Sequence, residues 1–442
     1  MAMRMGLSVG GTTDVASLED QVRRYKLRDL NIPPKKEDVL NNPPKKAGQD
    51  KRNPAKETLK DKCINVVVAN FHERPVTEGI PAPYMREITK RLPTDLDPVV
   101  AAIHVFDENY WKKCCIERYS WAKCQLMEHG QIWKQMFFER YLQERLEEFD
   151  PLPPKLDDKE ELLKLVQACQ DYIFTLTIRE LRSHIDLEEV VLLLPNLTRL
   201  DVTYGIKQCK MEYVRMMFGM KISDANYLAK CITCGMNLTT VVLTSNLIDD
   251  DLMRMLMTGL IKNDSITHLD VSHNKITNHG VRLLAKLLGG HSVLTSLNLA
   301  DNQIHAEGGR YLGRGLRTND TLVELNLRLN RLTDDGGRML LEGMRSNQSL
   351  ERLNMSGNGL GQESVAALVS VLGEPDMPLS QIDLTCNGLS SGDILSLEEC
   401  LSENTSVTSI DLRQNPAVGP EADGALESIA KITHANELNS RD

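Results

Sequence analysis

The residues whose types and spacing could do chemistry are few. Cys231 and Cys234 are separated by two residues, the spacing of half a zinc site. No second Cys or His pair follows at zinc-ribbon distance, and both thiols fall within the pattern of a repeat helix, so no metal is expected there. Gly357, Gly359 and Gly361 alternate as in a phosphate-cradling loop. They bracket Asn358, however, and a repeat turn at that point accounts for them, because glycine takes up turn conformations without strain. His268, His273, His279, His291 and His305 are close in sequence but occupy different repeat positions, so they are expected on the surface and not around one ion. The sequence has no GxxxxGK[ST] phosphate loop and no HExxH zinc helix. No catalytic residue, metal or cofactor is expected, and the chain reads as a binding protein, not an enzyme.

These residues stand on an internal repeat of the form L-x-x-L-x-L-x-x-N. Its units include Leu238, Val241, Leu243, Asn246 and Leu322, Leu325, Leu327, Asn330, and its asparagines are 246, 274, 302, 330, 358, 387 and 415, spaced by 28, 28, 28, 28, 29 and 28 residues. An earlier unit, Leu197, Leu200, Val202, lacks the asparagine and precedes Leu238 by 41 residues, which places an insertion at 205–219. Each unit predicts a short strand whose aliphatic residues are buried, an asparagine whose amide satisfies backbone groups at the corner, and a helix such as 281–288 or 365–372. The fold class is therefore α/β, a leucine-rich-repeat horseshoe with the 28-residue period of the ribonuclease-inhibitor class.

Outward positions of stacked strands form rows about 4.8 Å apart on the concave face. The central row reads Asp201, Val242, Asp270, Asn298, Asn326, Asn354, Asp383, Asp411, a ladder of amides and carboxylates. The rows beside it contribute Arg199, Arg352, Arg328 and Arg413. Guanidinium groups beside an acidic ladder suit a charged protein partner. The candidate binding face is thus Arg199, Asp201, Asp270, Asn298, Asn326, Arg328, Arg352, Asn354, Asp383, Asp411 and Arg413. The competing reading is that Asp and Asn in the central row serve hydrogen bonding between strands.

The 442 residues carry 52 basic and 62 acidic side chains, a net charge of -10, which argues against nucleic-acid binding through bulk positive charge. Residues 1–62 differ, with 14 basic against 9 acidic side chains and two Pro-Pro-Lys-Lys runs. They read as a flexible basic arm in which Lys35, Lys36, Lys45 and Lys46 are candidate contacts with an acidic surface. No apolar stretch approaches the length of a membrane span, and the start lacks a signal-peptide core, so a cytosolic origin is expected. Most cysteines are expected as thiols acting as small core hydrophobes. Residues 63–156 form a small, mainly helical, aromatic-rich domain. Its first part, with Val66-Val67-Val68 followed by Pro75, Pro81, Pro83 and Pro93, predicts a short strand and extended packing. Residues 157–196 are expected as a helical linker and N-terminal cap, 197–416 as the repeats, and 417–442 as a C-terminal cap and tail.

The aromatic block Asn109-Tyr110-Trp111-Lys112-Lys113-Cys114-Cys115, then Glu128-His129-Gly130 and 133–140, is joined to an inserted first repeat that opens 197–204. Together they resemble the leucine-rich-repeat subunit family of the nexin-dynein regulatory complex of motile cilia, over about residues 98–430. The resemblance implies a non-enzymatic axonemal component in the linker between outer doublets, which helps to regulate dynein. Its implied partners are other subunits of that complex, coiled-coil ones included, and tubulin or dynein arms; no nucleic acid or membrane is implied. Two other readings stay open. Leu92-Pro93 with Trp133, Lys134, Phe137 and Phe138 resembles a degenerate F-box, which would make the chain a ubiquitin-ligase substrate receptor. A GTPase activator built on such repeats would use Arg328 or Arg413 on a phosphate.

Overall fold

The computed structural model describes residues 58–440 apart from 77, 122–123, 151–155, 183–184, 206–217, 290–291 and 375–376. The arm lysines Lys35, Lys36, Lys45 and Lys46, His291 and most of the insertion at 205–219 lie outside the described residues. The chain divides into two compact units, 1–63 and 64–442. Of the first, residues 58–63 are described; they begin helix α1 (Leu59–Ala69), where the Thr58 hydroxyl accepts from the Asp61 amide at 3.2 Å.

The second unit opens with helices where extended chain was expected. Ile64, Val67, Val68 and Phe71 recur at helical offsets and pack into the core, while Val66 is exposed. Burial of that stripe outweighs the strand preference of three successive valines. Helix α2 (Ala82–Arg91) has Pro81 at its N-cap and Pro83 in its first turn, positions whose missing N–H would have no intrahelical partner. Helices α3 (Pro98–His104), α4 (Glu108–Tyr119) and α5 (Trp133–Glu148) follow, with a 3-10 turn (Leu126–His129) before α5. Asp97 caps α3 by accepting from Val99 N at 2.7 Å, and Asp107 caps α4 by accepting from Asn109 N at 2.8 Å. Trp111 packs with tilted rings against both Phe137 and Phe138, at ring distances of 5.0 and 4.9 Å, and its Nε1 donates to Val105 O at 3.0 Å. Lys134 is buried against Phe106 and Tyr172. Its ammonium donates to Ala102 O at 2.7 Å and Val105 O at 3.0 Å, carbonyls at the C-terminal end of α3 that the helix leaves open.

Nine parallel strands then form one sheet in chain order. They are β1 (Thr175–Leu181), β2 (Arg199–Tyr204), β3 (Thr240–Val242), β4 (His268–Asp270), β5 (Ser296–Asn298), β6 (Glu324–Asn326), β7 (Arg352–Asn354), β8 (Gln381–Asp383) and β9 (Ser409–Asp411). Helix α6 (Leu156–Cys169) precedes β1, and α7 (Leu187–Val191) links β1 to β2. The repeat helices are α8 (Ile222–Cys234), α9 (Asp250–Leu260), α10 (Asn278–Leu288), α11 (Ala306–Leu316), α12 (Thr333–Met344), α13 (Gln362–Leu372) and α14 (Ser391–Glu403), and α15 (Pro420–Asn439) closes the row. Strand β1 lies within 157–196, the segment expected as a helical linker and N-terminal cap. Leu176 and Ile178 are fully buried opposite Leu200 and Val202. Without the asparagine, and only 24 residues before its register partners, β1 escapes the repeat template.

The corner asparagines bind the repeats together as expected. Asn330 Nδ2 donates to Leu327 O in its own turn at 3.0 Å and to Leu299 O in the preceding repeat at 2.9 Å, while its Oδ1 accepts from Ile304 N at 3.2 Å. Asn274, Asn302 and Asn358 do the same in their repeats. Helices α11 and α12 approach backbone to backbone: a Cβ at Gly313 would lie 2.7 Å from Met339 O. One apolar core runs from Ile64 to Ile429. Of the nine cysteines described, all free thiols, Cys114, Cys115, Cys169 and Cys231 are buried in the core and Cys124 and Cys400 pack partly buried against it, whereas Cys63, Cys234 and Cys386 are exposed. Among the described residues no helix is long and apolar enough to cross a membrane.

Candidate functional site

The strand register aligns the central row as read from the repeats: Asp201, Val242, Asp270, Asn298, Asn326, Asn354, Asp383 and Asp411 are successive partners, and Thr177 of β1 extends the row by one. Much of this ladder is occupied by the fold itself. Oδ1 of Asp270, Asn298, Asn326, Asn354, Asp383 and Asp411 each accepts the amide two residues on, at 2.9–3.1 Å. Each such contact ends a strand with an Asx turn, which an aliphatic residue could not do. Two pairs also join across strands: Asn298 Nδ2 donates to Asp270 Oδ2 at 2.9 Å, and Asn354 Nδ2 to Asp383 Oδ2 at 2.8 Å.

The four arginines differ in their freedom. Arg413 Nε lies 2.9 and 3.1 Å from the two Asp411 oxygens, and this contact holds the Asp411 carboxyl below its ordinary range. Arg352 donates to Glu324 Oε2 at 3.2 Å, and Arg199 stands 3.8 Å from Asp201 Oδ2. Arg328 is exposed and, among the described residues, its guanidinium makes no bond. The expectation of four arginines offered to a partner therefore reduces to one unengaged group, with the others partly spent on carboxylates of their own face. Depressions of about 250 and 240 Å³ lie along the row, one over β3–β6 and the other over β6–β9.

A deeper cavity, about 470 Å³, lies where helix α5 meets β1 and β2. Arg199 and Asp201 belong to its wall, joined by His129, Glu139, Arg140 and Arg179. Both oxygens of the buried Glu139 are engaged: Oε1 accepts from Gln135 Nε2 and from the Phe174 and Thr175 amides at 3.0, 2.9 and 2.8 Å, and Oε2 meets His129 Nδ1 in a short contact. Sequence reading gave His129, Glu139, Arg140 and Arg179 no role. The available signals were Gln135, Glu139, Gln143 and Glu147 at four-residue spacing, and the alternation Thr175-x-Thr177-x-Arg179. The Cys231 and Cys234 thiols lie on α8, one buried and one exposed, and among the described residues no cluster of three or more His, Cys, Asp or Glu is placed to hold a metal.

The family described as Leucine Rich repeat matches residues 262–285, 290–313, 318–341 and 346–369. Dynein regulatory complex subunit 5 of Chlamydomonas reinhardtii is 40% identical over 198 residues, 45% of this chain and 50% of the relative. The Mus musculus and Homo sapiens proteins of the same name are each 32% identical over 250 residues, 50% of this chain and 49% of theirs. The chain carries leucine-rich repeats and is similar to dynein regulatory complex subunit 5. The match spans about half the length of these curated relatives. Among solved structures, an internalin from Listeria monocytogenes aligns over 60% of this chain and 87% of its own, at 16% identity and a TM-score of 0.34.

Proposed function

We propose that the chain is a non-enzymatic, protein-binding subunit of the nexin-dynein regulatory complex, seated in the axoneme of motile cilia and flagella in the linker between outer doublets. The observation that carries this reading is the 40% identity to the Chlamydomonas reinhardtii subunit. It is supported by a sheet face whose exposed groups are amides, carboxylates and guanidiniums in fixed rows, a surface suited to recognising a charged polypeptide. Other subunits of the complex, coiled-coil ones included, are the proposed partners of that face. The basic arm supplies a second, looser contact to an acidic surface such as tubulin or a dynein arm. In this role the chain restrains doublet sliding and regulates dynein without turning over a substrate.

The test is a tagged copy of the chain in a Chlamydomonas reinhardtii strain lacking subunit 5. Retention in detergent-extracted, salt-washed axonemes and recovery of swimming are expected. A protein found only in the soluble fraction, and captured there with a cullin adaptor, would favour the substrate-receptor reading instead.

A further inference from the structure

The cavity between α5 and the start of the sheet holds donors that the fold does not use. His129 is 7% exposed and lines the cavity; its Nδ1 is committed to Glu139, and its Nε2 has no hydrogen-bond partner. A buried ring nitrogen without a partner is unfavourable unless something else reaches it. Arg179, exposed on β1, lines the same cavity, and among the described residues its guanidinium makes no bond. Among the described residues Arg140 donates to Gln125 Oε1, at 3.3 Å. The lining balances three carboxylates, Glu128, Glu139 and Asp201, against three guanidiniums, but both Glu139 oxygens are taken up by other donors and Asp201 faces Arg199, so the N–H groups of Arg140 and Arg179 are left open toward the cavity.

We propose that this cavity receives an acidic side chain, a glutamate or aspartate presented by a partner polypeptide lying along the sheet face. Arg179 and Arg140 grip its carboxylate. A guanidinium fork matches a carboxylate edge with two parallel bonds, so position and charge are read together. The cavity opens beside Thr175 and Thr177, the outward residues that continue the rows of the face, so one bound segment can fill it and run on over β2 and β3. Residues 63–442 carry 38 basic and 53 acidic side chains, so beyond the basic arm the chain has no bulk attraction for an acidic peptide, and binding at the sheet requires a local site. The inference stands on the cavity alone and does not rest on membership of the axonemal complex.

The experiment is fluorescence polarisation of the full chain with a fluorescein-labelled, C-terminally amidated hexaglutamate peptide, with hexaglutamine as control. The wild-type chain should bind the glutamate peptide and not the glutamine one. Arg140→Gln combined with Arg179→Gln should weaken binding about tenfold or more, and Arg179→Lys, which keeps the charge and loses the fork, by about threefold. Arg282→Gln, exposed on helix α10 and outside the cavity lining, should leave it unchanged. No binding by the wild-type chain, equal binding by the double variant, or an equal loss in Arg282→Gln would overturn the proposal. If the double variant melts lower than wild type, Arg179→Lys decides: undiminished binding there overturns it.

Discussion

Glu139 Oε1 accepts the backbone N–H of Thr175 at 2.8 Å, so a helix carboxylate closes the edge of a nine-stranded sheet. Glu147 repeats the contact, accepting from Arg179 N at 2.8 Å. The spacing is matched: eight residues of helix rise about 12 Å and four of strand about 13 Å. Helix α5 thereby substitutes for a missing strand and protects an edge that would otherwise pair with other chains. Glu139→Ala should lower stability by about 3 kcal/mol, since it strands two amides and His129, and Glu147→Ala by about 1 kcal/mol at a more open site. Urea unfolding measures both, and equal small losses would contradict the edge-cap role.

Two asparagines four residues apart should respond differently. Asn330, buried at its corner, joins two repeats, whereas Asn326 on the face accepts only from Arg328 N. Asn330→Ala is expected to cost about 2–3 kcal/mol and Asn326→Ala less than about 1 kcal/mol, because water can replace the latter bond. Leu325→Ala, at the buried position next to Asn326 on β6, should cost about 2–5 kcal/mol by opening a cavity in the strand layer. Chemical denaturation of the three variants side by side is the measurement.

Leu329 and Gly357 hold equivalent positions in adjacent repeats, with φ of 55° and 67°. Each precedes its corner asparagine, where the left-handed backbone aims its N–H at the next strand: Leu329 N donates to Ser356 O at 2.8 Å. Gly357→Ala should destabilise by about 1–2 kcal/mol, from the left-handed conformation. Its Cβ would also meet Leu329 Cδ2 at 2.8 Å. Leu329→Gly should be neutral or stabilising and should reduce the penalty of Gly357→Ala in the double variant. Additive melting shifts would show that the two residues do not touch.

Burial pushes the Cys114 thiol up to about 11 and the Cys169 thiol up to about 12, from an ordinary 9.0. The folded state keeps these protons longer, so their contribution is fully present below about pH 9 and is lost as pH rises from there to about 12. Lys134 acts in the opposite sense: burial lowers its ammonium from 10.5 to about 8, so the folded state releases that proton first and stability is gained across this window. Cys114→Ala with Cys169→Ala should flatten the alkaline fall in stability, and Lys134→Met should steepen it between about pH 8 and 10.5. Urea midpoints across a pH series give the slopes, and unchanged slopes would remove these groups from the account.

Assembly should depend on the face more than on the arm. Arg328→Glu should weaken incorporation into axonemes while leaving the melting temperature unchanged, because no bond within the described fold is lost. Adding Arg352→Glu should weaken incorporation further and lower the melting temperature slightly, since it sets two carboxylates together at the Glu324 contact. Deletion of residues 1–62 should leave incorporation largely intact. A truncated chain that fails to assemble beside a charge-reversed chain that succeeds would move the attachment point to the arm.

The sequence by itself determined the repeat architecture: the 28-residue period, the buried aliphatics, the corner asparagines and the row order that the register reproduces residue for residue. These were legible because a solenoid is made of nearest-neighbour contacts, so each repeat carries its own full instruction. Other features depended on contacts between segments far apart in the chain. Val66-Val67-Val68 is helical because Ile64 and Phe71 complete a buried stripe, and β1 is a strand because β2 and α5 supply its partners. The engagement of Arg352 with Glu324, 28 residues away, and the gathering of His129, Arg140 and Arg179 around one cavity were likewise decided in three dimensions. Whether a charged side chain is free or spent is set by what folding brings within about 3–4 Å of it, and no spacing along the chain encodes that distance.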